Sequence, residues 1–373
     1  MNILILNWRD IKNPSSGGAE ILTHEMAKRW VAKGHSVIQL SSHFTACKEE
    51  DIIDGVRIIR KGHPDIRYFF SSIHFLSFVY YLKNFRGKVD VVIDEVHGIP
   101  FFTPWYVKEK KIVLSCEVAG NLWYSIFGFV FGSVGKYTEK FYLRYIYRGI
   151  PFLTISQSTK KDLLQNGIPE SDITILPMGI SLPKKSQTSK KNLYPTLLFV
   201  GRLTKQKGVD YAIYTLKEVI KHFPKTHLWI VGRGEKSYEE HLKHIVKKQH
   251  MSQHVTFFGY VSEEEKFNLM GKAHILLHPS LHEGFGLTVP ESARVGTPAV
   301  AYNSSGLRDL IENGKNGILL KENTSKAMAG AVISLLEDGA RYKKLSLAAR
   351  QASMRFDWDK TAQTALRIMK KNL

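Results

Sequence analysis

Glu283 and Glu291 stand eight positions apart in the stretch "HEGFGLTVPE", with glycines, an aromatic and a proline between them. A carboxylate in a glycine-rich loop has no helix of its own to cap and can accept two hydroxyl donors at once, so Glu283 suits a polyhydroxylated ligand. For Glu291 two readings stand together. "TVPE" forms a capping box, with Thr288 as helix cap and Pro290 in the first turn, or the carboxylate serves the same ligand.

Two further stretches suit phosphate. "VGRLTKQKGVD" leaves a strand at Gly201 and places Arg202 and Lys207 about the mouth of the next helix, where a forked guanidinium and a point charge together hold a diphosphate. In "NPSSGGAE", Gly17 and Gly18 lie ahead of the first helix, whose N-terminal N–H donors favour an anion. A plain flexible turn explains that glycine pair equally well.

The elements that must position these residues are visible as short apolar runs alternating with helical patterns, which predicts βαβ units and a parallel sheet. "NILILN" precedes a helix with Ile21, Leu22, Met26, Trp30 and Val31 on one stripe and Gly34 at its end, and "SVIQLSS", "VDVVIDE", "KIVLSCE" and "FLTIS" supply further strands. A polar Lys- and Ser-rich linker is expected over 183–192. The alternation then restarts with "TLLFVG", "THLWIVG", "HVTFFG", "AHILLHPS" and "PAVAYN". The fold class expected is α/β, two Rossmann-like domains facing across a cleft between the carboxyl ends of their sheets.

At 373 residues the chain is long enough for two cores. Cys47 and Cys116, with no ligand neighbours, suggest neither a disulfide framework nor a zinc site and fit a reducing compartment. No apolar run approaches the length of a membrane span, and the N-terminus reads as a strand, not a signal peptide. The formal net charge of +19 attracts polyanions such as nucleic acid, anionic lipid or phosphorylated small molecules, and also serves plain solubility.

The spacing of Glu283 and Glu291 resembles the E-x7-E motif of glycosyltransferase family 4. "VGRLTKQKG", "IVGRGE", "TFFGYV" and "SSGLRDLIENGKNGILL" follow in that family's order, and "GGAE" near the N-terminus is similar to its pattern. The resemblance implies the GT-B fold, retention at the anomeric carbon, a nucleotide-sugar donor, and no metal or other cofactor. Carried over by position, Arg202 and Lys207 bind the donor diphosphate as electrostatic catalysts. Glu283 faces the sugar hydroxyls, Phe285, Gly286 and Leu287 give backbone contacts, and Glu291 holds the ribose diol. Gly17 and Gly18 close over the diphosphate, while Arg233, Tyr260 and Val261 border the base without identifying it.

The resemblance further implies an acceptor domain over 1–185 with a terminal helix, 357–373, crossing back to it, and a donor domain over 193–356. One departure stands out. Where many members place a histidine, this chain has Cys116 and Glu117. Glu117 is therefore the candidate to steady positive character at the anomeric carbon or to orient the attacking hydroxyl, with His97 as a second group near the acceptor and Cys116 as packing.

Residues 122–148 and 67–86 are dense in aromatics, and in 122–148 these are interleaved with Lys136, Lys140, Arg144 and Arg148. Such a pattern fits a membrane interface or a lipid-linked acceptor, and equally a buried helix with a solvated cationic edge. The partners expected are a nucleotide-sugar donor, a glycan or lipid-linked acceptor and an anionic membrane surface, with a cytoplasmic location, peripheral on the inner face of the membrane. The competing classes are a nucleotide-sugar epimerase of the same fold, a phosphorylase and a nucleic-acid binder. No zinc-finger spacing, basic zipper region or RNP-like strand supports the last, and nucleic acid is not an expected partner.

Overall fold

The computed structural model describes residues 1–183 and 190–371. Residues 184–189 of the expected linker lie outside them. The chain divides into two units, one of Met1–Gly179 with the terminal stretch from Asp357, the other Ile180–Phe356. Lys191 and Asn192 belong to the second unit. Lys191 Nζ donates to the Ala273 carbonyl and Asn192 N to that of Lys272.

The first unit is an eight-stranded sheet of order β3-β4-β2-β1-β5-β6-β7-β8. Its strands are β1 Asn2–Leu6, β2 Ser36–Ser41, β3 Glu50–Ile53, β4 Val56–Arg60, β5 Val91–Glu95, β6 Lys110–Leu114, β7 Phe152–Thr154 and β8 Ile173–Ile175. All pairings are parallel except that of β3 with β4. The buried runs of β1 and β5 are nearly continuous because helices cover both faces of a parallel sheet. Leu4, Leu6, Leu40 and Val92 pack with Tyr81 and Phe101, and further across the same face of the sheet Val113, Phe152 and Leu163 pack with Tyr142 and Tyr147.

The helix Gly18–Ala32 buries Leu22, Met26, Ala27 and Trp30, and Gly34, at φ +82, ends it. Ile21 and Val31, expected on the buried stripe, are half-exposed. The terminal helix Trp358–Lys371 packs on this first helix. Trp30 Nε1 donates to the Ala362 carbonyl at 2.9 Å, Arg29 pairs with Asp359 at 2.6 Å, and Trp358 lies against Gly179 so closely that a Cβ there would stand 2.3 Å from its ring.

The second unit is a six-stranded parallel sheet of order β11-β10-β9-β12-β13-β14. Its strands are β9 Thr196–Val200, β10 His227–Val231, β11 Val255–Gly259, β12 Ile275–His278, β13 Ala299–Ala301 and β14 Ile318–Leu319. Its core joins Leu197, Leu228, Ile230 and Leu277 to Ile213, Leu216 and Met328 from the covering helices. Each such side chain, removed from water, contributes about 2 kcal/mol. The strand order reverses between β9 and β12, and at such a switch point the loops leaving the two strands diverge to opposite faces and open a crevice at the carboxyl edge. Among the described residues no helix is long and apolar enough to cross a membrane.

Candidate functional site

The loops after β9 and β12 carry the charged residues at the second unit's switch point. After β9, Gly201 leads to exposed Arg202, then a 3-10 turn, Lys205–Lys207, and the helix Val209–Val219. After β12 comes "PSLHEGFGL" and the helix Thr288–Arg294. The two loops are stitched together. Leu281 N donates to the Gln206 carbonyl at 3.0 Å, and Gly208, at φ +68, lies so near Pro279 that a Cβ would meet its carbonyl oxygen at 2.3 Å.

At the centre of this junction Lys207 Nζ lies 2.6 Å from Glu283 Oε2. His278 Nε2, from the end of β12, lies 3.7 Å from the same oxygen. Burial alone raises Glu283, but the Lys207 ammonium and His278 outweigh it and hold the carboxyl below its ordinary value. His278 is pushed down to about 4, first by burial, so it is a neutral imidazole at neutral pH. The Glu283 carbonyl accepts Gly306 N at 2.8 Å and Ser305 Oγ at 3.0 Å, which fixes the loop while its carboxylate faces Lys207. Arg202 forms no ion pair among the described residues. The junction therefore offers one cation without an acidic partner, a second that an anionic ligand could draw from Glu283, and a carboxylate in place to accept hydroxyls.

Thr288 is not the cap of its helix. Leu287 already has helical angles and serves as the N-cap residue, so Thr288 falls inside the first turn, where its Oγ1 is buried with no partner. A capping residue is itself extended, whereas the chain turns at Gly286, φ +92, and is already helical at Leu287, one position before Thr288. The capping-box reading of Glu291 fails with it. Glu291 is buried and takes Lys266 Nζ at 3.1 Å, and burial raises its pKa against the pull of that ammonium. Lys266 also reaches Glu263 at 2.8 Å. Nothing in the sequence marked Lys266, on a different helix, as Glu291's partner.

Beside these, the loops after β10 and β11 bring Arg233 and Tyr260 together, with the guanidinium 5.7 Å from the ring centroid. Val261 follows, half-exposed. Leu203 N donates to the Arg233 carbonyl at 2.8 Å, so this corner is tied to the loop that carries Arg202. Phe285 is buried against Phe356, and a Cβ on Gly286 would stand 2.6 Å from Leu307 Cδ2.

In the first unit, Gly17 is the N-cap residue and Gly18 already the first residue of the helix. The Gly17 N–H donates to Glu20 Oε2 at 2.7 Å, so in this state the helix's own carboxylate occupies that donor. Nearby Glu95 accepts Asn7 Nδ2 at 2.7 Å and Thr23 Oγ1 at 2.5 Å and faces His97 Nε2 at 3.4 Å. His97 stacks on Trp8, with centroids 5.8 Å apart. Burial lowers His97, but Glu95, Glu20 and half-buried Glu117 outweigh it and raise its pKa. Glu117 and His97 are thus electrostatic neighbours. Burial pushes the Cys116 thiol well up, as in a packing residue.

Residues 16–183 match the model for Glycosyltransferase Family 4 and residues 182–352 that for Glycosyl transferases group 1, so the two tile nearly the whole chain. A glycogen synthase of Mycobacterium tuberculosis is 24% identical over 99% of this chain and 94% of its own length. A phosphatidyl-myo-inositol mannosyltransferase of Mycobacterium leprae is 29% identical over 53% of each chain. The solved Anabaena protein Alr3699/HepE, in complex with UDP and glucose, is 16% identical and superposes with a TM-score of 0.77 over the whole of both chains. The fold is of the GT-B class, that of a transferase enzyme. The chain belongs to the family 4 glycosyltransferases.

Proposed function

We propose that this glycosyltransferase moves a sugar, with retention at the anomeric carbon, from a nucleotide-sugar donor to a hydroxyl of a lipid-linked or cell-surface glycan precursor at the inner face of an anionic membrane. The observation that carries the donor half is the Lys207–Glu283 contact at the switch point of the second sheet, with exposed Arg202 on the same loop. Arg202 and Lys207 hold the diphosphate and offset the charge that grows on it as the bond to the anomeric carbon breaks. These fixed cations supply that charge with no metal or other cofactor. Once the diphosphate takes Lys207, Glu283 is free to accept sugar hydroxyls.

The backbone of Phe285, Gly286 and Leu287 contacts sugar and phosphate, Glu291 holds the ribose diol, and Arg233, Tyr260 and Val261 border the base. Gly17 and Gly18 bind phosphate oxygen once Glu20 gives up the Gly17 N–H. Glu117, beside His97, steadies the anomeric centre or orients the acceptor hydroxyl. The nucleotide donor is supported by a structural neighbour solved with UDP and glucose, and the lipid-linked acceptor by a relative that is a phosphatidyl-myo-inositol mannosyltransferase.

The test is a panel of nucleotide sugars, with release of nucleoside diphosphate and capture of the glycoside as readouts. A new α- or β-glycoside with the donor's own anomeric configuration supports the reading. An inverted product removes the retaining step, and a free epimerised sugar with no glycoside replaces the transferase reading by an epimerase.

A further inference from the structure

The aromatic segment after Asn121 takes no part in the site above. Leu122–Phe141 is broken at Gly128, whose φ of +72 and ψ of −175 belong to a region essentially reserved for glycine. The chain folds back there. A Cβ on Gly132 would stand 2.7 Å from the Tyr124 Cα, and one on Gly135 2.5 Å from the Trp123 ring. The result is a helical hairpin whose base is pinned by buried Glu139, which accepts Ala119 N, Gly120 N and Trp123 Nε1.

Its tip is apolar and faces solvent. Ile126, Phe127, Val130 and Val134 are exposed, Phe129 is 80% exposed and Phe131 73%. Val130, Val134, Tyr137, Phe141 and Tyr145, at helical spacing, continue one exposed stripe away from the tip. A buried helix with a solvated cationic edge, the second reading of this sequence, is therefore wrong for 122–148: the apolar face is the solvated one.

Polarity along the hairpin is graded. Along the second arm the exposed groups are Phe129, Val130, Phe131 and Val134, then Tyr137, then Lys140, Arg144 and Arg148, while half-buried Tyr124 stacks on Phe129 and half-buried Lys136 reaches back to Asn121 Oδ1 at 2.8 Å. The segment's one acidic residue, Glu139, is 2% exposed and fully engaged. Apolar groups, then tyrosine, then unopposed cations is the depth order of one anionic leaflet, from acyl chains to headgroups. From Phe129 to Phe141 the helix rises about 18 Å, comparable to the ~15 Å half-thickness of a bilayer's hydrocarbon core.

We propose that this hairpin is a wedge whose tip enters the acyl region of an anionic bilayer while Tyr137, Tyr145 and the cations stay at headgroup level. The inference rests on the reading that the enzyme works at a membrane, and adds insertion to adsorption.

The test places an environment-sensitive fluorophore at Phe129→Cys in a Cys47→Ser background and adds vesicles of phosphatidylcholine and phosphatidylglycerol, some carrying nitroxide on the acyl chains. The wedge requires brightening at physiological salt and quenching by the acyl-chain nitroxide. It also requires that Phe129→Ser with Phe131→Ser weaken vesicle partitioning on the order of 100-fold, with the thermal melt and donor turnover unchanged. Salt-sensitive binding with the probe left in water overturns insertion while leaving membrane adsorption standing. No vesicle binding by the wild type overturns both. A concentration-dependent dimer that the double variant abolishes, with no quenching, assigns the face to a second copy and overturns the wedge.

Discussion

Lys207 Nζ and Glu283 Oε2 lie 2.6 Å apart although 76 residues separate them in the chain. They meet because β9 and β12 are neighbours at the point where the strand order reverses. The pair is mostly buried, so each partner lowers the other's cost of desolvation. Under the proposed function that pairing is a resting state, which a diphosphate breaks by competing for the ammonium.

Removing either partner should cut turnover strongly. Lys207→Ala leaves a carboxylate without its cation and should also cost about 2 kcal/mol of stability, less than for a fully buried pair because Lys207 keeps some exposure. The double variant Lys207→Ala, Glu283→Ala should recover part of that loss, since no charge is left stranded. Chemical denaturation of the four proteins checks this, and strictly additive losses would show that the two side chains do not interact.

Stability should depend on pH through His278. Its folded pKa, about 4, lies below the ordinary 6.5, so between those values the unfolded chain binds the proton more readily. The stabilisation is fully present above pH 6.5 and is lost as pH falls toward 4, by roughly 3 kcal/mol. His278→Asn should flatten that part of the curve. Glu283, depressed, acts lower: its contribution is present above the ordinary carboxyl value and disappears as pH falls through the folded one. Equal slopes for wild type and His278→Asn between pH 6.5 and 4 would rule out the buried neutral imidazole.

Lys266 should matter for donor affinity without touching chemistry. It holds Glu291 at 3.1 Å, and Lys266→Met should remove the cation that opposes burial, raise the Glu291 pKa further and release the carboxyl from its fixed position. The expected signature is a KM for the donor raised about tenfold with kcat nearly held, the pattern of lost uniform binding. Steady-state kinetics separates this from a kcat defect, which would place Glu291 at the reacting centre instead.

Gly208→Ala should separate the two loops. The residue needs φ +68, and its Cβ would meet the Pro279 carbonyl at 2.3 Å. The clash is with backbone, so relief requires the β9 and β12 loops to move apart, at a cost of about 2 kcal/mol or more and most of the activity. A thermal melt and a turnover assay on this variant check both parts, and a fully active, fully stable protein would deny that the stitching matters.

Much of the fold was legible because parallel strands buried on both faces announce themselves as apolar runs, and all ten runs read that way are strands. Four strands were missed: β4, although buried at four of its five positions, and three that are short or half-solvated. β3 alternates exposed and half-buried residues, β8 has three residues and β14 two. For β3 and β4 a signal did exist, since "EDII" and "VRII" flank Asp54-Gly55, both at positive φ, which is the two-residue turn of a β-hairpin. Positions following strands were readable as loop positions, but their partners were not. Lys266 finding Glu291, His278 flanking Glu283 and Glu20 taking the Gly17 N–H depend on which loops the topology brings together. The aromatic stretch 122–148 was ambiguous for a similar reason: spacing gives a stripe, while the reversal at Gly128 decides that the stripe faces solvent.

The most direct measurement is a calorimetric titration of UDP, GDP and ADP into the wild type and into Lys207→Ala. A diphosphate site at the β9–β12 junction requires saturable, one-to-one binding of at least one of the three to the wild type, weakened at least about tenfold by the substitution while the melt shows the variant folded. Equal affinity in both proteins, or no saturable binding of any nucleoside diphosphate, would contradict the assignment of that junction as the diphosphate site.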